Sequence, residues 1–348
     1  MMHFNPATIK KIQRFRSIKR SFWSFVLLLT MIIVSLFAEA FINSRALLVY
    51  YNGRLYFPTY TKMIKGSEFG LGYEYETRYR DLKEKFQNQG GPDFAILPPV
   101  PYNPYENDLK INAYPPFAPS FRERHFLGTD NVGRDILARL VYGFRTAIVF
   151  SLVLLVLNYT MGISLGCAMG YFGGKFDLIF QRVIEIWSNI PFLYVIMIIA
   201  SILIPSFMIL LLIMAFFGWI GITWVMRTMT YKEKQKEYIL AVRSMGATHA
   251  RIIFRHIIPN TLSVIVTYAP FAVSGGIVAL TSLDYLGFGL PAPTPSWGEL
   301  LSQGWQNMEA WWIAASVTGA LVLTLMCVTF IGEGIREAFD PRRHTTYE

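Results

Sequence analysis

The sequence predicts an all-α integral membrane protein of about six transmembrane helices, with an external insert that contains a small β-hairpin. Three observations predict it. Hydrophobic residues make up 53% of the 348 and charged residues only 16%, against about 25% charge in a soluble domain. The apolar residues gather in six runs, near 22–42, 146–169, 180–203, 207–229, 262–282 and 311–331. Each run is long enough to cross roughly 30 Å of hydrocarbon as a helix. Lys and Arg alternate between rich and empty from one connecting segment to the next.

Each run must be helical, because lipid offers no partner to a free backbone N–H or C=O. Their orientation follows from the basic residues. Residues 1–21 hold Lys10, Lys11, Arg14, Arg16, Lys19 and Arg20, and the 170–182 connection holds Lys175 and Arg182. The 227–260 stretch holds Arg227, Lys232, Lys234, Lys236, Arg243, Arg251 and Arg255, and the tail holds Arg336, Arg342 and Arg343. The turns near 203–207 and 283–310 hold none. This is the positive-inside pattern and places both termini in the cytoplasm. The net charge of +9 thus reports topology, not affinity for nucleic acid. The 43–145 segment carries fourteen basic and eleven acidic residues, but long loops cross a membrane regardless of charge. Ala38-Glu39-Ala40 fits a small-residue cleavage pattern. The preceding apolar stretch exceeds a signal h-region of about 7–15 residues, so an uncleaved first helix is expected.

Four parts follow: a basic tail and first helix at 1–42, an external insert with an interfacial re-entry helix at 43–145, a core of five helices at 146–340 with a cytoplasmic loop at 230–260, and a tail at 341–348. In the insert, Val49 to Phe57 reads as two strands around an Asn52-Gly53 type I′ turn. Pro92, Pro98, Pro99, Pro101, Pro104, Pro115, Pro116 and Pro119 make its second half extended. The insert is either a decoration packed on the core or a platform for an external partner. In the core, Gly162, Gly166 and Gly170 stand four apart, a ridge for close helix packing. Gly218 with Gly221 and Gly275 with Gly276 serve packing or act as hinges. Glu185 can pair with Arg182 across one turn. Cys167 and Cys327 lie in apolar runs without metal-ligand spacing, which reads as packing.

No phosphate-binding GxxxxGK[ST] loop, HExxH or GxSxG is present, so the chain is read as no enzyme, and any ATP chemistry belongs to another chain. An ion-coupled secondary transporter would carry buried midplane carboxylates and inverted repeats, which are not seen. It stays the alternative, together with a non-transporting membrane scaffold.

Two segments carry more specific chemistry. Glu237-Tyr238-Ile239-Leu240-Ala241-Val242-Arg243-Ser244-Met245-Gly246-Ala247 runs on to Arg255-His256-Ile257-Ile258-Pro259-Asn260. It predicts a surface helix parallel to the membrane, a glycine break, a basic amphipathic stretch and a Pro stop before the next span. On the other side, His125-Phe126-Leu127-Gly128-Thr129-Asp130-Asn131-Val132-Gly133-Arg134-Asp135 precedes the second span. Asp130 can cap a short helix, Gly128 and Gly133 permit turns, and Asp135 can pair with Arg139. Ile136, Leu137 and Leu140 then give that helix an apolar face for the outer interface. Either these charges brace the re-entry segment or they touch substrate or a binding protein.

The spacing Ala241…Gly246…Ile258-Pro259 resembles the "EAA" loop of bacterial binding-protein-dependent ABC permeases. Leu240 stands at the family's Glu and Val242 at its second Ala. The 125–135 segment resembles H-x-L-G-T-D-x-x-G-R-D of the oligopeptide and dipeptide C-subunit permeases. Gly170 to Asp177 and Asp284 to Leu290 match further, and Leu47 to Pro58 looks like the insert of the YejE-type permeases. The resemblance implies a type I ABC importer permease fold in the bacterial inner membrane. It implies import of peptides or peptide-like compounds, of the microcin C kind for that subtype. It implies four partners: a second homologous permease, an ATPase binding ATP and Mg, a periplasmic binding protein and the peptide. No cofactor is implied for this chain. The resemblance assigns ATPase coupling to Glu237, Tyr238, Ala241, Val242, Arg243, Gly246, Ala247, Arg255, Ile258 and Pro259. It assigns a periplasmic-side motif to Gly128, Thr129, Asp130, Gly133, Arg134, Asp135 and Arg139.

Overall fold

A computed structural model describes residues 6–110 and 113–339. Arg342, Arg343 and the 341–348 tail lie outside them. The helices are α1 (Pro6–Ser17), α2 (Lys19–Leu36), α3 (Ala38–Phe41), α4 (Tyr79–Gln89), α5 (Ile136–Phe172), α6 (Gly174–Ser188) and α7 (Phe192–Ile202). They continue as α8 (Phe207–Gly218), α9 (Ile220–Glu233), α10 (Glu237–Ser244), α11 (His249–Ile252), α12 (Ile258–Tyr285), α13 (Trp297–Gln306) and α14 (Trp311–Phe339). Among the described residues, five helical stretches are long and apolar enough to span a membrane: α2, α5, α8 with α9, α11 through α12, and α14.

The expected third span, 180–203, is not one straight helix. It is the pair α6 and α7, bent by 65°. Pro191 explains the break: it disfavours helical geometry at Ile190, and α7 restarts behind it. The expected second span starts ten residues early, at Ile136. The separate interfacial helix expected before it is therefore the first turns of α5. Its cap is Asp135, whose Oδ1 accepts the Ala138 N–H at 2.7 Å, and not Asp130.

Close packing of α5 on α9 organises the core. A Cβ on Gly162 would lie 2.6 Å from the Trp219 carbonyl oxygen, one on Gly166 2.5 Å from that of Thr223, and one on Gly170 2.6 Å from that of Arg227. Three glycines on one face thus let the two backbones touch along three successive turns. The other glycines divide. Gly218 abuts Asn158 and Gly276 abuts Ser151, while Gly221 and Gly275 face open space. Cys167 and Cys327 are buried, and Arg182 pairs with Glu185 at the exposed surface of α6.

The insert has its own small core of Val49, Phe69, Tyr79, Leu82, Phe86 and Ala95. The hairpin is β1 (Leu48–Tyr51) and β2 (Arg54–Tyr56), with Tyr51 opposite Arg54. Asn52 and Gly53 both have positive φ, 49° and 74°, as a type I′ turn requires. A third strand, β3 (Phe94–Ile96), joins antiparallel to β1 and gives the order β2-β1-β3. Its three residues are too short a signal to read in sequence, and α4, which closes over the sheet, was not expected either. Beyond Pro92 the described insert has no helix until Ile136, in keeping with its prolines.

Gly166→Ala therefore forces α5 away from the α9 backbone at a cost of about 1–3 kcal/mol. Gly275→Ala meets nothing and is neutral or mildly stabilising. Thermal unfolding of both variants in detergent checks the contrast.

Candidate functional site: a solvent-facing helical tip and a buried charge clasp

The tip of the molecule is α10 and the turn behind it. Its inward face is fixed. Ile239, Ile252, Ile253 and Ile257 form a buried cluster with Cys167, Ile222 and Met226, and Tyr238, Val242, Ala247 and Ile258 pack against it. Val242, one of the two departures from the EAA pattern, therefore packs into this cluster. The Tyr238 hydroxyl donates to buried Glu233, which also pairs with Lys236 at 2.8 Å. Burial raises the Tyr238 pKa, and the Glu233 carboxylate adds to the rise. α10 is thus tied to the end of α9.

Gly246 closes α10. Its φ is +78°, its N–H donates to Arg243 O at 3.0 Å, and the Ala247 N–H reaches Val242 O at 3.3 Å. That bond pair is the Schellman arrangement, completed by the apolar contact of Ala247 and Val242 in the cluster. Thr248 then caps α11 through Arg251 N–H at 3.4 Å. Pro259 does not stop the chain here, contrary to the expectation. The helix runs from His249 to Tyr285 through a π turn at Ile253–Ile257. Pro259 falls in the first turn of α12, and the widened turn before it accommodates the residue that cannot donate. The surface helix is accordingly Glu237–Ser244 alone.

The outward face is apolar at its centre. Leu240 is 51% exposed and Met245 77%, with Ala241, Ser244 and Gly246 exposed beside them. Phe254 is exposed on the neighbouring π turn. Glu237, Arg243, Arg255 and Pro259 are exposed too. Met245 and Phe254 were not singled out in the sequence, and Leu240 only as a departure from the family pattern, because exposed and buried apolar residues look alike there. Exposed apolar side chains gathered on so short a segment make it the candidate interaction surface.

Behind the tip, the start of α6 locks to α9. Asp177 accepts from Arg227 Nη2 at 2.6 Å and from the Tyr231 hydroxyl at 2.7 Å. Lys234 Nζ donates to the Gly170 carbonyl at 2.8 Å, at the end of α5. The Gly170–Asp177 motif thus places a carboxylate against a span 50 residues away.

At the other end of α5 lies a buried clasp. Asp130, Arg134, Asp135 and Arg139 are all nearly or fully buried. Asp130 Oδ1 accepts the Val132 and Arg134 N–H groups at 3.1 and 2.9 Å, and Oδ2 accepts from Arg134 Nε at 2.7 Å. Glu299 of α13 receives Arg134 Nη2 at 2.7 Å on one oxygen and Arg139 Nη2 on the other. Arg139 also donates to Pro104 O at 3.1 Å and Pro293 O at 3.3 Å, joining insert, α5 and the 286–296 turn. The expected Asp135–Arg139 pair does not form. Asp135 caps α5 and accepts from His125 Nδ1 at 2.8 Å, which leaves Arg139 to Glu299 and Asp130. Thr129 holds the Phe117 N–H at 2.7 Å, and the carbonyls of Phe117 and Asp108 sit where a Cβ on Gly128 or Gly133 would be. Asn131 Oδ1 and Arg139 Nε aside, the polar groups of the motif are engaged with one another, with Glu299 or with backbone, which is the arrangement of a brace. Glu299 completes it and was missed, because nothing in sequence pairs positions 160 residues apart.

His125 lies between two carboxylates, Asp135 and Asp108, the latter at 3.1 Å from Nε2. Burial alone would lower its pKa, but the two carboxylates outweigh it and the net shift is upward. The hydrogen bond from His125, helped by Arg80, holds Asp108 below the usual carboxylate range.

A family model described as "Binding-protein-dependent transport system inner membrane component" matches residues 162–345. The chain is 36% identical to the peptidoglycan transport system permease protein YejE of Agrobacterium fabrum, over 98% of this chain and 94% of that protein. It is 37% identical to the inner membrane ABC transporter permease protein YejE of Escherichia coli K12, over 99% of each. It is 34% identical to the oligopeptide transport system permease protein OppC of the same organism, over 72% of this chain and 82% of that one.

Glu299→Gln leaves two buried guanidinium groups short of a countercharge and is expected to cost about 3–5 kcal/mol, read as a lowered melting temperature in detergent. His125 contributes stability that is complete below its unfolded value near 6.5 and is lost as pH rises through its higher folded value. Asp108 contributes the opposite way, its share being lost as pH falls through a value below 3.8. Proteolytic protection of the 113–135 segment is therefore greatest between those limits and declines as pH rises through the raised His125 value, a decline that His125→Gln abolishes.

Proposed function

This chain belongs to the family of binding-protein-dependent transport system inner membrane components, and from that premise we propose that its α10 tip is the lever through which a separate ATPase drives peptide transport. The protein is a multi-pass inner-membrane permease subunit of an ABC importer. Its cargo is a peptide or a peptide-bearing fragment, as the names of its YejE and OppC relatives support.

One observation carries the lever reading. The exposed apolar centre of α10, Leu240 with Ala241 and Met245, stands on a helix whose other face is bolted to three spans. A partner that grips the outward face moves the inward face with it. Glu233 passes the motion to α9, the π turn passes it to α12, and Lys234 passes it to the end of α5. Closure of a nucleotide-bound ATPase dimer then tilts the spans between two states of different access. The basic residues around the tip fit a cytoplasmic position, with both termini on the same side.

The other partners follow from chemistry. One subunit of about six spans cannot enclose a peptide-sized path, so a homologous second permease completes it. A periplasmic binding protein delivers the cargo. ATP and Mg are held by the ATPase, and this chain carries out no hydrolysis.

Gly246→Trp tests the lever. No atom lies within 4 Å of the Cβ position at Gly246, so the indole projects into the docking space without disturbing the core. The strained φ costs about 1–2 kcal/mol, too little to prevent insertion. The variant is expected to insert normally and to lose binding-protein-stimulated ATP hydrolysis and uptake together. Cysteines placed at Ala241 and Ser244 should crosslink to the ATPase subunit in intact cells. Normal coupling in the tryptophan variant would remove α10 from the mechanism.

A further inference from the structure

A cavity of about 300 Å³ opens between α5, α9 and α12. Its apolar walls include Leu154, Ile222 and Phe271, and three polar side chains face into it: Asn158, Tyr159 and Tyr268. Asn158, Gly221 and Tyr268 each lie within about four residues of the middle of their spans, so the cavity sits near half depth. A carboxamide there is costly unless something satisfies it. Asn158 Oδ1 is buried and has no hydrogen-bond partner among the described residues.

The fold makes room for this amide. A Cβ on Gly218 would lie 2.3 Å from Asn158 Nδ2, so any larger residue at the end of α8 would push the side chain away. Gly221 has nothing within 4 Å of its Cβ position and keeps the cavity open one turn further on. No residue lining the cavity is charged. The lining therefore suits a neutral ligand that offers N–H donors and tolerates apolar walls.

We propose that Asn158, with Tyr159 and Tyr268, forms a midpoint subsite for the backbone of an extended peptide in transit, the Asn158 carboxamide turning from its buried position toward the cavity so that Oδ1 accepts a peptide N–H. This rests on the importer reading above and adds to it the residues that touch cargo inside the membrane. An extended strand supplies such a donor whatever its side chains are, which fits cargo of varied sequence. Charged side chains of the cargo gain nothing here and are directed away from the apolar walls.

The test uses membrane vesicles that hold the intact complex, with radiolabelled tri-alanine as probe and binding-protein-stimulated ATP hydrolysis followed alongside. Asn158→Leu is expected to lower tri-alanine uptake at least ten-fold while the amount of inserted chain and the co-purifying subunits stay unchanged. Asn158→Ser, which keeps an acceptor in a smaller side chain, is expected to recover part of the uptake. Tyr268→p-benzoylphenylalanine is expected to trap labelled tri-alanine on illumination during ATP turnover, and Ile198→p-benzoylphenylalanine on exposed α7 is not. Uptake by Asn158→Leu equal to wild type overturns the subsite, as does capture of the second permease or lipid alone from position 268. Loss of the second permease on Asn158→Leu shows a packing amide and overturns it equally. A wild-type complex that hydrolyses ATP and takes up no peptide overturns the importer reading itself.

Discussion

Backbone contact between α5 and α9 is the constraint on which the rest of the molecule depends. Helices in lipid gain little from hiding apolar surface from one another, so they associate where small residues let backbones approach. Gly162, Gly166 and Gly170 supply that approach over three turns. Because α5 is 37 residues long, one rigid element reaches from the buried clasp at Ile136 to the Lys234 contact at Gly170. α9 lies along its lower half and runs on, through Glu233, Lys236 and Tyr238, into the exposed tip. The seam thus connects the surface helix to the centre of the bundle through the turn at 234–236, which the Glu233 contacts hold.

The two ends of α5 use polarity differently. At the Ile136 end, charges are buried and paired: Arg139 is fully buried, and its guanidinium reaches Glu299 and three backbone carbonyls. Such an arrangement pays a desolvation cost and gains definition, because few geometries satisfy it. It fixes the insert against α13 and the 286–296 turn. Asp284 supports that turn by accepting from Leu290 N–H at 2.7 Å and from Ser296. At the tip end, the charged residues are mostly exposed and the buried material is mostly isoleucine. One end of the long helix is thus braced by buried charge, and the tip keeps one face free.

Several features of the tip follow from helix-end chemistry rather than from recognition. Gly246 ends α10 because the backbone there needs a positive φ. Val242 and Ala247 close the accompanying apolar contact. The residues left exposed are the outward ones: Leu240, Ala241, Ser244 and Met245. Stopping a helix and presenting exposed apolar side chains thus share one eleven-residue stretch and fall on different faces of it.

Much was legible in the sequence. Span positions, the hairpin turn at Asn52-Gly53, the glycine ridge and the surface helix at Glu237–Ser244 all follow from local periodicity, turn chemistry and apolar length, which neighbouring residues determine among themselves. What tertiary structure decided is which distant groups meet. Asp135 serves His125 and the α5 cap, Arg139 goes to Glu299, Asp177 to Arg227, and the bend at Pro191 and the π turn before Pro259 take their angles from the packing around them. The physical reason is that a charge removed from water takes whichever countercharge folding brings within reach, and sequence separation sets no limit on that choice.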